Sequence, residues 1–493
     1  MITPSQIRDW FIIFLSMVLA CYVATQIADG GLASFFPLLG IGIGVVWVFF
    51  GGSVWWLPLF AGMGIGGVFY FGFKVHPFEV GFFLSLAAAL PLIAMRAGQP
   101  LAHRSLPRGL LLFLFFICLE AGFSCARFSG GSTRDMGSIL RIYLKEFWAP
   151  FFLLVFYYYG KSRFIAVGFY VLEFTYLIRL LIGMVAVFIP NFTYLPGVNM
   201  ILPASGVNGT DDLRASGLGL AMVAMMMSFY QKGWLFSMLQ RLAFIVALIG
   251  VGFGGGRGTL VGLLMAVVLF ALFSRRKSML WGAAVLIFAI ICLLNLKPEL
   301  MDGLNPKIQR TASILIVNFE GVRGTEFGQT KEGLEGDLST NDWHHRLAQI
   351  GRERWTANLP NFLFGTGIRS YDETALKEPD PKVQFALALN SSADTAAYED
   401  GLWTVLATSG LVTLVFYVVL FGGFIRKIIE LSPIMGRTPF GRSLVFLSTF
   451  VIVDWVAFCY WQGGFPSYEL MVVGATVVYL QDYEAEFKAK EEA

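Results

Sequence analysis

The chain has 493 residues, of which 56% are apolar and only 14% charged, and its formal net charge is +3. Soluble domains carry about 25% charged residues, so this composition excludes an ordinary soluble globular protein. The small net charge gives no indication of a nucleic-acid partner. The five cysteines and four histidines have no metal-ligand spacing, so we expect neither a metal nor a cofactor.

Apolar stretches recur along most of the chain and are long enough to cross about 30 Å of hydrocarbon. Such spans must be helices, because lipid cannot satisfy open backbone groups. We therefore predict an all-α polytopic membrane protein with about 12–14 transmembrane helices. The fourteen candidate spans lie near residues 10–28, 32–51, 54–73, 78–96, 108–125, 143–160, 163–189, 215–231, 238–253, 258–273, 279–296, 402–424, 442–461 and 464–481.

Lys and Arg in short loops predict that the N- and C-termini are cytoplasmic. Two basic segments fall outside under this topology: residues 126–146, which we predict as a loop with Arg127, Arg134, Arg141 and Lys145, and the turn with the lone Arg257. The predicted organisation has three parts. These are a helix bundle over 1–296, a large periplasmic loop over 297–401, and C-terminal transmembrane helices with a cytoplasmic tail over 402–493.

The large loop contains one helical pattern. In STNDWHHRLAQIGRERW, Trp343, Leu347 and Ile350 recur at i, i+4 and i+7, which predicts an amphipathic helix. Gly365 and Gly367 of the following GTG indicate a tight turn. An earlier glycine tract, GMGIGG at 62–67, lies in a predicted span, where it indicates close helix packing.

Two arginines lie where spans begin at the predicted outer face. Arg257 stands in GGGRGT, whose glycines let a bulky anion approach the backbone, at the N-terminus of a predicted span that favours anions. Its guanidinium suits bidentate contact with phosphate, although an arginine that reaches lipid headgroups is the alternative. Arg214 precedes the span at 215–231 and has a solvated loop charge as its alternative.

Three carboxylates end the large loop just before the span at 402–424. They are Asp394, Glu399 and Asp400. Glu399 lies close to the hydrocarbon boundary, and partial desolvation there favours the role of a general base. Two arginines and a base on one membrane face are what transfer from a lipid diphosphate requires: cations hold the leaving diphosphate, and the base accepts a proton from the incoming hydroxyl.

These pieces resemble the superfamily of O-antigen ligases and Wzy-type polymerases. The family has a small-residue tract with Arg-Gly at the start of a span, an earlier Arg-x-x-Gly, and a periplasmic loop with an Arg-containing helix and a Gly-x-Gly turn. GGGRGT, RASG at 214–217, HRLAQIGRERW and GTG match them, over roughly residues 200–425, about half the chain. If Gly410 is the first glycine of the ligase signature, Glu399 and Asp400 take its His-Asn positions and Thr413 replaces its second glycine.

The resemblance implies a glycosyltransferase-C type fold in the bacterial inner membrane. It implies transfer of a glycan, on the periplasmic face, from a polyprenyl (undecaprenyl) diphosphate carrier to a sugar hydroxyl, without nucleotide or metal and with inversion. Arg214 and Arg257 would bind the diphosphate and Glu399 would be the base. Because Glu replaces His, the resemblance favours a Wzy-type polymerase over a ligase that acts on a lipid A-core acceptor. Expected partners are the donor, a glycan acceptor, membrane lipids and a chain-length regulator.

Other charges have open roles. Arg346 in the loop helix is either a substrate contact or a solvated charge, and Asp394, Asp400 and Arg179 are further candidate substrate contacts. Ionisable groups inside spans face a protein interior or an aqueous cavity. Such groups are Glu120, Glu173, Arg179 and Asp454. They also suit a lipid-linked glycan flippase or transporter, which is the alternative from another class.

Overall fold

The computed structural model describes residues 44, 46–47, 52–65, 69–70, 74–75, 77–96, 104–105, 108–127, 133–189, 210–230, 233–254, 257–274, 277–297, 300, 340–367, 401–435, 437–458 and 467–492. The predicted spans near 10–28 and 32–51 lie outside these residues, except for residues 44, 46 and 47. Most of the predicted loop at 297–401 also lies outside them, apart from its central helical part.

The described elements are almost all helical. They are α1 Leu57–Gly64, α2 Pro77–Arg96, α3 Arg108–Arg127, α4 Thr133–Tyr159, α5 Ile165–Phe188, α6 Thr210–Tyr230, α7 Trp234–Gly254, α8 Arg257–Ser274, α9 Lys277–Leu296, α10 Thr340–Thr356, α11 Leu359–Phe364, α12 Gly401–Glu430, α13 Ser432–Met435, α14 Pro439–Phe458 and α15 Ser467–Glu492. Two strands of two residues each, β1 Phe69–Tyr70 and β2 Lys74–Val75, form an antiparallel ladder. Short 3-10 turns cover Gly52–Val54 and Ser162–Phe164.

Six of the described helical segments are long and apolar enough to cross a membrane. They are Gly109–Ala126, Ser162–Ala186, Leu213–Tyr230, Trp234–Gly254, Gly401–Glu430 and Pro439–Val456. Large apolar side chains lie exposed along several helices, among them Phe115, Phe123, Trp281 and Phe288. Apolar surface of this extent suits contact with lipid. The chain is thus a polytopic helical membrane protein.

Two predicted boundaries are wrong, and a third segment is helical beyond its predicted span. The predicted span at 54–73 is not one helix, because α1 ends at Gly64 within the glycine tract and β1 and β2 follow. Glycine lowers helix propensity by about 1 kcal/mol relative to alanine, so four glycines in six residues end the helix. At the other end of the chain, the predicted tail after 481 continues α15 to Glu492, since EAEFKAKEE consists mostly of strong helix formers.

Where the structure describes it, the segment 126–146 is helical and not a loop, because α3 extends to Arg127 and α4 begins at Thr133 and runs for 27 residues. Arg134, Arg141 and Lys145 therefore lie on a helix. The reason is visible in the apolar spacing, since Met136, Ile139, Leu140, Tyr143, Leu144 and Phe147 recur at helical intervals. Of these residues, Tyr143 is buried and Leu140 is exposed.

The chain divides into two compact units, and the first comprises Met1–Gln99 with Tyr158–Leu220. Its described core is α1 packed on α2 and α5. A Cβ at Gly62 would lie 2.9 Å from Phe78 Cα, and one at Gly81 would lie 3.0 Å from Leu59 Cα. The backbones of α1 and α2 therefore approach closely at both glycines, which confirms the packing interpretation of GMGIGG.

The second unit comprises Pro100–Tyr157 with Ala221–Ala493, and α12 is its central helix. α12 contacts α3, α10, α11 and α15. Phe113 stacks edge-on to Tyr417 with ring centroids 4.7 Å apart, and Glu120 bonds to Thr413 farther along α3. Residue numbers rise along α3 as they fall along α12, so these two helices are antiparallel.

Arg104 joins three parts of this unit in what we call the Arg104 clamp. Its guanidinium forms a bidentate pair with Asp482 of α15, with both N–O distances 2.6 Å. The same side chain donates to the carbonyls of Phe156 and Tyr157 near the end of α4, and the Tyr157 hydroxyl donates to the Arg104 carbonyl. Arg104 is therefore a buried structural residue.

Candidate functional site

The predicted base stands directly before α12. Glu399, Asp400 and Asp394 lie outside the described residues, and the structure resumes at Gly401, the first residue of α12. In sequence, Glu399 and Asp400 therefore stand directly before the first described residue of α12. The sequence prediction that a span follows these carboxylates is confirmed, and their roles stay predictions.

Arg257 is the first residue of α8, as the anion-site prediction requires. The preceding helix α7 ends at Gly254, which is buried. In sequence, only Gly255 and Gly256 separate the described ends of α7 and α8. The Arg257 side chain lies outside what the structure describes, so its function as a phosphate ligand stays a prediction.

Arg179 and Arg214 lie on helices that touch within the first unit. The Tyr176 ring of α5 packs on the backbone of α6 at Gly219, where a Cβ would lie 2.6 Å from the ring carbon Cζ. Arg179 is three residues from Tyr176 along α5, and Arg214 is five residues from Gly219 along α6. At 1.5 Å per residue, the two arginines lie about 5 and 8 Å along their helices from this contact, and the predicted topology puts both on its outer side.

Arg214 also differs slightly from its prediction. It lies inside α6, four residues after the first residue Thr210, and not ahead of the helix. Its neighbours Leu213 and Ser216 are buried, and Arg214 itself is half-buried. A half-buried arginine beside buried neighbours is held by the helix, which favours a positioned cation over a freely solvated one.

Arg346 lies on α10, the helix predicted within the large loop, which the structure confirms over Thr340–Thr356. Its guanidinium is 3.7 Å from a carboxylate oxygen of Glu353, and both side chains are partly exposed. The apolar residues Leu347 and Ile350 are buried, as the periodicity predicts. At the end of α10, the Trp355 ring lies 6.0 Å from the Trp403 ring of α12.

A short helix and a turn connect α10 to the interior of α12. Asn358 caps α11 by accepting from the Asn361 amide, and the Trp355 indole donates to the Phe362 carbonyl while its ring stacks on Phe362. These three interactions fix the chain direction between α10 and α11. The Gly365–Gly367 turn follows α11 directly and packs against α12.

α12 is broken at Gly410, and the Gly365–Gly367 turn fills the break. Gly410 has φ 79° and ψ −179°, a conformation essentially restricted to glycine. The Thr366 amide donates to the Ala407 carbonyl at 2.8 Å, and the Gly367 amide donates to the Thr408 carbonyl at 2.9 Å. In a regular helix these two carbonyls would accept from residues 411 and 412, so the turn replaces the bonds that a break removes.

The three glycines of this junction interlock. Gly365 and Gly367 have φ 66° and 78°, which L-residues rarely adopt. A Cβ at Gly410 would run into the Leu363 carbonyl, and a Cβ at Gly365 would run into the backbone of Thr408 and Ser409. A Cβ at Gly367 would lie 2.8 Å from the Ser124 hydroxyl of α3. We call this junction the turn lock.

A buried polar cluster lies behind the turn lock. Glu120 of α3 accepts or donates a bond to the Thr413 hydroxyl over 2.9 Å, and the same hydroxyl lies 2.9 Å from the Ser409 carbonyl. One turn along α3, the Ser124 hydroxyl is 2.6 Å from the Tyr143 hydroxyl of α4. Glu120 is only 4% exposed, and within the described part of the chain its Oε2 has no hydrogen-bond partner.

Among the described residues no group of three or more His, Cys, Asp or Glu side chains is arranged to hold a metal ion. Comparison with models of known protein families and with curated proteins finds no match for this chain. Its function has to be argued from the arrangement of its own residues.

Sequence reasoning missed the turn lock and the Glu120 cluster. Two signals were present: Glu120 is the one acidic residue in the apolar stretch 109–126, and Gly410 stands inside a predicted span. The pairing between them has no local signal, because Glu120 and Thr413 are 293 residues apart.

Proposed function

We propose that this protein is an inner-membrane glycosyltransferase that moves a glycan from a polyprenyl diphosphate carrier to a sugar hydroxyl. The most suitable reaction is that of a Wzy-type O-antigen or exopolysaccharide polymerase, in which the acceptor is another lipid-linked repeat unit. The fold would be of the glycosyltransferase-C type with about 12–14 transmembrane helices. The active face would be periplasmic, both termini cytoplasmic, and 297–401 the periplasmic loop.

The proposed chemistry is a single displacement. Glu399 accepts the proton of the attacking hydroxyl, the glycosidic bond to the carrier breaks, and the polyprenyl diphosphate leaves with the electron pair. Arg214 and Arg257 stabilise the negative charge on the leaving diphosphate, so that no metal ion is needed. Attack from the face opposite the diphosphate inverts the anomeric configuration.

The anchorage of α10 beside the start of α12 carries this proposal. α10 and α11 both contact α12, and the Trp355 ring meets Trp403 only two residues after the first residue of α12. The loop helix with Arg346 is thereby held near the point where the chain emerges from Glu399 and Asp400. A fixed loop element beside a candidate base is what a transferase needs to orient a bulky glycan.

The contact between α5 and α6 gives further support. Arg179 and Arg214 lie on the same side of the Tyr176–Gly219 contact in the predicted topology. Two guanidinium groups near one membrane face would bind a diphosphate more firmly than either alone. Asp394 and Asp400 would contact sugar hydroxyls, and membrane lipids and a chain-length regulator would complete the set of partners.

An O-antigen ligase that acts on a lipid A-core acceptor is the close alternative. Its resemblance rests on the same segments, but Glu399 and Asp400 stand where the ligase signature has His-Asn. Offering the purified protein one donor with either a second lipid-linked repeat or a lipid A-core acceptor separates the two. We expect extension of the repeat unit and no transfer to the core.

A flippase or transporter is favoured by one observation, the broken helix α12 beside the buried Glu120. Discontinuous spans with a nearby buried carboxylate occur at the ion sites of transporters. Reconstituted vesicles distinguish this class, because it predicts movement of the intact lipid-linked glycan across the bilayer. The transferase proposal predicts a new glycosidic bond instead.

The proposal is tested with variants of the purified protein and a polyprenyl diphosphate-linked repeat unit. A general base contributes about 10²–10⁴-fold, so Glu399→Gln should lower chain extension by that factor. Removal of an electrostatic contact such as Arg257 should cost about 10²–10³-fold. Arg426→Ala, at an 82% exposed side chain on the predicted cytoplasmic side, is the control and should extend chains normally.

Membrane insertion should be unchanged in all three variants, since none of the substitutions alters an apolar span. Polymer of normal length from Glu399→Gln or Arg257→Ala would contradict the assigned roles.

A further inference from the structure

Behind the turn lock lies a carboxyl group that forms no ion pair within the described part of the chain. Glu120 lies inside the apolar helix α3, seven residues from Arg127, so it is about 10 Å along the helix from that end. In the described structure it forms no ion pair with a Lys, Arg or His side chain. Among the described residues, the side chains that form hydrogen bonds with it are those of Thr413 and Ser409. Burial without a partner cation destabilises a carboxylate, which favours the neutral acid.

The number of hydrogens available to the Thr413 hydroxyl also indicates that Glu120 is protonated. The Thr413 hydroxyl has one hydrogen and two oxygen neighbours at 2.9 Å, the Ser409 carbonyl and Glu120 Oε1. If Glu120 were ionised, both neighbours would be acceptors, and one of the two contacts would be an oxygen–oxygen approach without a hydrogen. If Glu120 is a neutral acid, it donates to Thr413, and Thr413 donates to the Ser409 carbonyl.

The two hydrogen bonds from Glu120 to Thr413 and from Thr413 to the Ser409 carbonyl, which we call the Glu120 relay, lie at the break in α12. The Ser409 carbonyl and Thr413 flank Gly410, the residue at which α12 is broken. The Ala407 and Thr408 carbonyls on the same side of the break hold the Gly365–Gly367 turn. The Glu120 relay therefore stabilises the segment of α12 to which α11, and through it α10, is attached.

We propose that Glu120 is an uncharged carboxylic acid that fastens α3 to α12 at the helix break, and that it acts as a positioning residue for the loop helix carrying Arg346. It does not touch substrate; it acts through Thr413 and the turn lock. The importance of Glu120 for glycan transfer rests on the proposed function. Its protonation state and its stabilisation of the Gly365–Gly367 turn do not.

Two measurements test the inference without any activity assay. The infrared difference spectrum between the wild-type protein and Glu120→Gln at neutral pH should show the loss of a carbonyl band from a protonated carboxylic acid. Glu430→Gln, at the opposite end of α12, is the matched control and should lose only an ionised carboxylate band. A Glu120→Gln spectrum that loses an ionised carboxylate band would overturn the proposal.

Amide hydrogen exchange measures how strongly Glu120 stabilises the Gly365–Gly367 turn. Glutamine is neutral and can both donate and accept, so Glu120→Gln should keep slow exchange at the Thr366 and Gly367 amides. Glu120→Ala should accelerate it at least about tenfold, the effect of roughly 1.4 kcal/mol. Thr413→Val removes the relay with little change of shape and should accelerate it similarly if Glu120→Ala fails to fold. Fast exchange in Glu120→Gln, or unchanged exchange in both other variants, would overturn the proposal.

The rate of chain extension then distinguishes a positioning role of Glu120 from a role that needs its ionised carboxylate. Glu120→Gln should retain turnover within about twofold, while Glu120→Ala loses it, because only the neutral bond matters. A transport role that needs a titrating carboxyl predicts that Gln is as inactive as Ala. If the wild-type protein extends no chain, the proposed function fails, and the infrared and exchange results still decide the role of Glu120.

Discussion

Two sets of buried polar contacts hold parts of the second unit together, the Arg104 clamp and the turn lock, and they differ in charge. The Arg104 clamp is ionic: a bidentate pair with Asp482 and two carbonyl contacts on α4. The turn lock is uncharged and consists of backbone amides, backbone carbonyls and the glycines at 365, 367 and 410. The predicted topology puts the clamp at the cytoplasmic end of the helices and the turn lock toward the outer end.

The difference follows from what each device holds. The clamp binds α4 and α15, two helices with fixed positions, and a charged pair gains from rigid geometry. The turn lock binds the Gly365–Gly367 turn, which belongs to the predicted loop, and backbone bonds to a helix break set its register without burying a charge. We therefore expect the clamp to matter mainly for stability and the turn lock mainly for activity.

The largest expected effect on stability comes from Arg104→Ala. It leaves the Asp482 carboxylate and two α4 carbonyls without their donor, and breaking a buried ion pair in this way costs about 3–5 kcal/mol. Thermal unfolding of the detergent-solubilised protein measures the loss. Arg426→Ala, which breaks an exposed pair with Glu430, is the matched control and should cost less than about 0.5 kcal/mol. Equal melting temperatures for the two variants would contradict the structural role of the clamp.

Gly410→Ala tests the turn lock. The alanine would occupy a backbone conformation that only glycine adopts readily, at a cost of about 1–3 kcal/mol, and its Cβ would meet the Leu363 carbonyl. We expect the Gly365–Gly367 turn to detach while the helices stay packed, seen as fast exchange of the Thr366 amide and a large loss of chain extension. Gly422→Ala, where a Cβ meets nothing within 4 Å, is the control in the same helix.

A Gly410→Ala protein with full activity would show that the turn lock does not serve the site. It would also remove the contrast between the two devices, since both would then affect stability alone.

The smallest expected effect on stability belongs to Arg346→Ala. Its contact with Glu353 is 3.7 Å long and partly exposed, so the free energy of unfolding should change by less than about 1 kcal/mol. Chain extension should fall through a higher KM for the donor if Arg346 contacts substrate. Arg352→Ala, at an exposed position on the same helix, should alter neither quantity. Indistinguishable kinetics for the two variants would assign Arg346 to the solvated face.

Sequence patterns predicted what is local. The apolar periodicity of Leu347 and Ile350 predicted α10, and the glycines at 365 and 367 predicted the turn that follows it. The spans around Arg257 and after Asp400 begin where the composition changes. Local spacing determines these features, so one sequence is enough to find them.

The errors and omissions came from tertiary contacts and from competing local signals. The basic residues of 126–146 suggested a loop, but the apolar spacing around Tyr143 makes a helix there. The partner of Arg104 lies 378 residues away, and that of Glu120 lies 293 residues away. Contacts between residues so far apart in the chain produce no periodic pattern in a single sequence.

The central claim is the formation of a new glycosidic bond with release of the carrier. The most direct measurement supplies the purified protein with one polyprenyl diphosphate-linked repeat unit and quantifies both products. The proposal predicts longer lipid-linked glycans and one free polyprenyl diphosphate for each bond formed. Recovery of the unchanged substrate, together with its translocation across reconstituted vesicles, would contradict it.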